Sequence, residues 1–392
     1  LYEPIVAHYK ELYKRAKKRR ANPPLRQGNG PHSLVWQARG EIKMGVFAEF
    51  RQDVETAIKN YETAHALLVE LFSPGTKSSD GKIVLKRGSP RWQEAQTLVD
   101  ALAFRICRMY FYLENSTSAL AQMKRHMDAF KSVYEDRGVY SSHYEFLGWL
   151  SKQYRLFGDL VDVSIKHGYK LPSAVATPTS SLSGVSLSGG AGAADYRPFA
   201  SSFGGQHSAG VNPNTLLQHP GFYYLASSQY AAERRRAYRG HEELHKPKGG
   251  KQEDPVEAAA VRQSESEFDH ASTTVELLTK SYEHFKKYKH GRMTLYLASE
   301  IAQEYFEAAK YEMALKFFDR IAKNYRKEKW HSILGSILRK SLDCARQLQL
   351  WTKCVEYLIE LLSANIDITE GERASAQQEL LDLLSVWILC TP

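Results

Sequence analysis

At 392 residues the chain has room for roughly two or three ordinary domains, or for one elongated array. A hydrophobic content of 43% with 23 Tyr and 16 Phe is that of a folded core, and a mean hydropathy of −0.46 argues against a membrane-embedded protein. The net charge of +9 is local: residues 1–26 carry eight Lys/Arg against Glu3 and Glu11, which points to one contact surface or a solvated helix face and away from nucleic acid.

The first helix carries Tyr2, Ile5, Tyr9, Leu12 and Ala16 on one stripe, with Lys14, Arg15, Lys17, Lys18, Arg19 and Arg20 crowding its end, where cations suit the helix dipole. A solvated face accounts for this run, and contact with an anionic membrane is the alternative. No apolar run precedes it as a secretion signal would require. Pro23, Pro24, Gly28, Gly30 and Pro31 break the chain.

Residues 34–72 read as a helical hairpin divided near Gln52 and Asp53. Residues 73–88 form a polar loop, in which Ile83, Val84 and Leu85 are the one weak strand signal. Gly75 to Ile83 fails as a phosphate loop, because Ile83 stands where Ser or Thr is needed. Ser89 as N-cap and Pro90 at the first position start a long helix through Leu113, and residues 115–118 turn into its partner, which stops at Gly138. A further helix runs from about His143 to His167, and Gly168 ends it.

Residues 172–218 collapse to Ser, Gly, Ala, Thr and Pro, too little apolar surface to offset chain entropy, and are expected to be a disordered insertion. Then comes HPGFYYLASSQYAAERRR, 219–236, with Pro220 at the first helical position and Tyr223, Ala226 and Tyr230 on one face. This helix, 219–238, is expected to link two helical-repeat halves, 1–171 and 267–392, with a polar linker at 239–266. Six more helices fill the second half, the last at about 372–390. No apolar run reaches the ~18 residues of a membrane span. The non-Met start and the apolar final helix read as part of a longer chain.

His241-Glu242-x-x-His245 matches the pattern of a zinc peptidase helix, with His241 and His245 as ligands and Glu242 as base. It sits in a polar linker with no apolar helix to hold it, so a solvated helix end is the preferred reading and no catalytic, metal or cofactor residue is assigned. Four cysteines, Cys107, Cys344, Cys354 and Cys390, have no paired spacing and indicate a reducing compartment.

Small and large residues recur at matched spacings in three hairpins: Met44, Gly45, Ala48, Ala57, Tyr61 and Ala64; Ile106, Cys107, Tyr110, Ala119 and Met123; Ile301, Ala302, Tyr305, Ala314 and Phe318. The pattern resembles the tetratricopeptide repeat, without its tandem 34-residue period. The expected fold is therefore all-α, with antiparallel helix pairs stacked as a TPR-like α-solenoid.

HPGFYY (219–224) with QYAAERR (229–235), KNYETAHALLVEL (59–71), WLSKQYRLFGDL (149–160) and FKKYK (285–289) followed by Arg292 and Met293 resemble, in order, the foie gras domain of subunit 11 of the TRAPP vesicle-tethering complex. Pro220, Gly221, Phe222, Tyr223 and Tyr224 carry the signature, with His219 in place of the usual Asn. The resemblance implies a non-catalytic scaffold without cofactors, cytoplasmic and peripheral to Golgi and ER–Golgi intermediate membranes. Its implied partners are other TRAPP subunits and, indirectly, a Rab GTPase, in ER-to-Golgi transport and autophagy. It also implies that Arg108, Phe111, Tyr112, Gln303 and Phe306 line an inner, partner-binding surface.

Overall fold

The computed structural model describes residues 2–21, 31–73, 85, 87–170, 219–244, 262–363, 366 and 368–390. The described residues are helical and contain no strand. They fall into two compact units, Leu1–Phe268 and Asp269–Pro392. The first holds α1 (Tyr2–Ala21), α2 (Pro31–Phe50), α3 (Val54–Glu70), α4 (Pro90–Tyr112), α5 (Ser116–Asp136), α6 (Tyr144–Lys166) and α7 (Pro220–Leu244). The second holds α8 (His270–Lys287), α9 (Gly291–Glu307), α10 (Tyr311–Glu328), α11 (His331–Gln347), α12 (Trp351–Leu361) and α13 (Glu370–Cys390). The all-α expectation holds. The expected insertion at 172–218, Ile83 and Val84 lie outside the described residues, while Leu85 is a buried bend.

One turn is used repeatedly. Gln52, Glu114, Lys289, Ala309, Lys329 and Gln349 all have φ between 55° and 62°, the left-handed region that L-residues rarely enter. In each case the next residue donates its N–H back five positions, as Asn115 does to the Tyr110 carbonyl at 2.8 Å and Leu350 to that of Ala345 at 2.9 Å. This is the Schellman closure, which satisfies carbonyls a helix end would otherwise leave unpaired. Its side-chain contact is present too: Tyr325 stacks on Trp330 at 5.9 Å, and Phe285 meets His290 edge-on at 5.8 Å. The residue after the left-handed one also opens the next helix, so consecutive helices fold back as antiparallel pairs.

The register expected from small and large residues is what packs these pairs. A Cβ built on Gly45 would lie 2.5 Å from the Tyr61 ring, so only glycine admits that tyrosine, which is fully buried. Cys107 Sγ approaches the Ala119 carbonyl at 3.5 Å, and Ala302 and Ala314 are both wholly buried. The period, however, is not 34. In the second unit the left-handed residues stand at 289, 309, 329 and 349, twenty residues per helix and forty per pair. Leu278, Ala298, Phe318, Leu338 and Leu358 share that spacing and are all buried.

Alternate helices then stack side by side through polar ladders. Lys353 binds Asp319 at 2.7 Å and Arg326 binds Glu360 at 2.6 Å, joining α10 to α12. Arg339 and Arg346 reach Glu372 and Glu379, joining α11 to α13. In the first unit Glu49 of α2 takes Arg105 of α4 at 2.7 Å, and Glu62 of α3 takes Arg125 of α5 at 2.8 Å. Helix pairs whose members each meet the helix two places on form a solenoid.

Beneath the first ladder lies a buried polar chain across α3, α4, α5 and α6. His65 Nε2 meets His126 Nδ1 at 3.0 Å, and His126 Nε2 meets Asp100 Oδ1 at 3.1 Å. Asp100 also accepts from Trp149 Nε1 at 3.2 Å and Gln153 Nε2 at 3.0 Å. Burial, reinforced by His126 and Arg125, pushes the His65 pKa down to about 3. The unfolded chain therefore takes up a proton near the ordinary value of 6.5 that the folded chain refuses.

Two outcomes follow from these features. Ala309 is exposed, so Ala309→Gly relieves the left-handed strain with no loss of packing and should raise stability by about 0.5 kcal/mol after the flexibility glycine adds to the unfolded chain; a urea titration that shows a lowered midpoint contradicts this. Stability should be fully retained above pH 6.5 and fall as pH drops, by about 2 kcal/mol at pH 5 from His65 alone. Thermal melts of His65→Gln should show a correspondingly shallower decline between pH 7 and 5, whatever its loss at neutral pH.

Candidate functional site

The helix that opens with the aromatic signature lies antiparallel along α6. Residue pairs run in opposite directions down the seam: Tyr144 with Tyr238, Gly148 with Arg234, Ser151 with Ser227, Phe157 with Tyr223, Asp159 with Tyr224. Small residues set the approach. Ser151 Oγ donates to the Ser227 carbonyl at 2.8 Å, and Ser227 Oγ returns the bond to the Ser151 carbonyl at 2.7 Å. A Cβ on Gly158 would come within 3.3 Å of both Tyr223 and Tyr224. Two of the blocks that carry the family resemblance, 149–160 and 219–236, are thus the two sides of one interface.

Each signature residue has a packing role there. Pro220 and Gly221 are buried at the helix start, and His219 Nδ1 accepts the Gly221 N–H at 2.9 Å, so an imidazole nitrogen supplies the acceptor that Asn would offer. Phe222 is half-buried beside the His219 ring at 5.2 Å. Tyr223 meets Phe157 edge-on at 4.9 Å. The Tyr224 hydroxyl donates to Asp159 Oδ1 at 2.6 Å, and burial together with that carboxylate raises its pKa well above the ordinary phenol value.

The basic end of this helix turns inward. Arg234 makes a two-pronged ion pair with Glu265, Nε to Oε1 at 2.6 Å, and its guanidinium lies 3.9 Å above the Phe268 ring. Arg235 is buried and Arg236 is exposed. The charge of Arg234 is thereby matched within the first unit, tying the 262–268 segment to α7.

The residues expected on an inner surface divide. Tyr112 is 74% exposed at the end of α4, next to exposed Leu113, and is the most open of the five. Arg108 is exposed and reaches Glu49 at 3.3 Å. Phe111 is 5% exposed, held by Phe157 at 6.0 Å and Tyr169 at 5.3 Å, so it serves the core and offers no surface. In the second unit Gln303 accepts a bond from Lys340 and donates to Glu307 at 3.0 Å, while Phe306 is half-buried against Tyr311. Each pair therefore marks a surface of its own unit.

The basic residues of α1 are exposed, and two of them are paired. Lys14, Lys17, Lys18 and Arg19 are exposed, and Arg15 is exposed while pairing with Glu11 at 3.3 Å. Arg20 is exposed as well and pairs with Glu41 of α2, a carboxylate 2% exposed whose pKa burial raises against the pull of Arg20. Between α1 and α2 opens a cleft of about 280 Å³, lined by Arg15, Arg19, Arg20, Arg39 and Lys43. Sequence reading placed the basic surface on α1 alone; Arg39 and Lys43, four apart on α2, were the signal it lacked.

No group of three or more His, Cys, Asp or Glu among the described residues is placed to hold a metal ion. His241 lies against His143 and Tyr144 in the last turn of α7, the Glu242 side chain is not described and His245 lies outside the described residues. Burial pushes the Cys107 and Cys344 thiols up to about 12, far from a nucleophile's range. No described helix is long and apolar enough to cross a membrane.

The chain is 28% identical over 385 residues to the trafficking protein particle complex subunit 11 of Bos taurus and 27% identical over 385 residues to that of Homo sapiens. The Gallus gallus subunit 11 is 27% identical over 356 residues. Each match covers 90% of this chain, which spans 29% of the length of those relatives. The model of the family described as Foie gras liver health family 1 matches residues 91–364, from the start of α4 past the end of α12. Over that span lie the α6–α7 seam and the twenty-residue turns, and the chain belongs to this foie gras family.

Proposed function

We propose that this chain is the foie gras region of a TRAPP-type complex subunit and acts there as a non-catalytic scaffold. The observation that carries the reading is the family match across both units together with relatives named as subunit 11 of the trafficking protein particle complex. Stacked helix pairs suit the role: they present long, rigid faces on which partner subunits can dock without rearrangement. The partners are other subunits of the complex, and through them a Rab GTPase, in ER-to-Golgi transport and autophagy. The site of action is the cytoplasmic surface of Golgi and ER–Golgi intermediate membranes, with the basic end of α1 touching anionic lipid.

Tyr112 and Arg108 on α4, and Gln303 and Phe306 on α9, are the docking residues of this reading. Affinity purification of the tagged chain from its own cells, quantified by mass spectrometry, should recover complex subunits in stoichiometric yield. Tyr112→Ala should weaken that recovery by roughly tenfold or more, as the loss of an exposed aromatic anchor does. Recovery of no complex subunit at comparable yield sinks the proposal.

A further inference from the structure

The cleft between α1 and α2 holds three cations that the fold does not neutralise. Arg15 and Arg19 stand four apart on α1, and Arg39 and Lys43 four apart on α2, an arrangement that disfavours each helix by itself. Of the five cations that line the space, Arg20 is taken by Glu41 and Arg15 by Glu11. Arg19, Arg39 and Lys43 have no acidic partner among the described residues. Gly40 lies beside the Arg20 stem, whose Cβ is 3.6 Å from where a Cβ on Gly40 would stand, and Leu12, Trp36 and Phe47 add apolar lining.

We propose that this cleft binds clustered phosphate groups on a small polyol ring, the chemistry shared by inositol phospholipid headgroups and free inositol polyphosphates. Guanidinium groups bind phosphate oxygens in pairs, and several of them converging from two helices select adjacent phosphates over a single carboxylate. The volume suits one small headgroup and is too small for a protein helix. The apolar lining accepts the carbon face of a ring. The inference deepens the membrane contact proposed above by moving it from the exposed rim, Lys17 and Lys18, into the cleft. It does not depend on membership of a tethering complex, so the purified chain tests it alone.

Calorimetry with soluble inositol trisphosphate, and flotation with phosphatidylcholine vesicles containing phosphatidylinositol bisphosphate or, as a control, phosphatidylserine, read the two sources of the ligand. Arg39→Glu/Lys43→Glu should weaken binding by roughly tenfold or more. Lys17→Glu/Lys18→Glu changes the net charge equally at exposed positions outside the cleft and should leave soluble-headgroup affinity within about twofold. Arg39→Gln/Lys43→Gln, checked by circular dichroism, replaces the double reversal if that variant does not fold. Binding to the bisphosphate vesicles that soluble headgroup competes away identifies a lipid ligand; binding to the soluble headgroup alone identifies a free polyphosphate. Equal loss in the Lys17/Lys18 variant, equal binding to phosphatidylserine vesicles, or no binding to either probe overturns the proposal.

Discussion

The architecture depends on one left-handed residue at the end of each of several helices. Such a residue costs an L-amino acid about 1–2 kcal/mol, and here it is accepted at Gln52, Glu114, Lys289, Ala309, Lys329 and Gln349. The return is geometric. The closure pairs the otherwise unsatisfied carbonyls of the last turn and starts the next helix within two residues, which leaves no freedom in the angle between neighbours. With that angle fixed and the spacing constant, helices two apart are brought alongside, and ladders such as Asp319–Lys353 and Glu360–Arg326 close between them. Exposed pairs of this kind contribute little stability each. They do set the register in which the pairs stack.

The second constraint is close approach. Gly45 admits Tyr61, Gly148 admits Arg234, and Gly158 admits Tyr223 and Tyr224. These contacts explain why the aromatic signature and the 149–160 block belong together: neither makes sense as a surface motif, and each completes the other as a packed seam. The serines at the centre of that seam bond to each other's backbone, which lets two polar side chains sit fully buried without loss. The family signature is therefore a record of packing and not of chemistry.

Charge is divided between structural and available groups. Arg20, Arg234 and Arg105 are each committed to a carboxylate, and Asp100 is satisfied by an indole, an amide and an imidazole. At the α1–α2 cleft Arg19, Arg39 and Lys43 have no acidic partner among the described residues.

Much of this was present in the sequence. Helices and their ends follow from apolar periodicity, from Asp53, Ser89 and Asn115 as caps, and from Gly138 and Gly168 as stops, because these are local effects of one turn of chain. The twenty-residue period was present as well, in Leu278, Ala298, Phe318, Leu338 and Leu358, but a search tuned to 34 residues passes over it. Cap signals fail at four helix starts of the second unit, because His290, Lys310, Trp330 and Leu350 open helices with no side-chain bond, the preceding closure having fixed the backbone. Only the tertiary structure decided which side chains face inward: Phe111, which the family resemblance places on a partner-binding surface, packs against Phe157 of α6, and Arg234, a surface group by its charge, is claimed by Glu265. The reason is physical: a sequence fixes which face of a helix is apolar, while the neighbour that covers it, and the charge it brings, comes from residues tens of positions away.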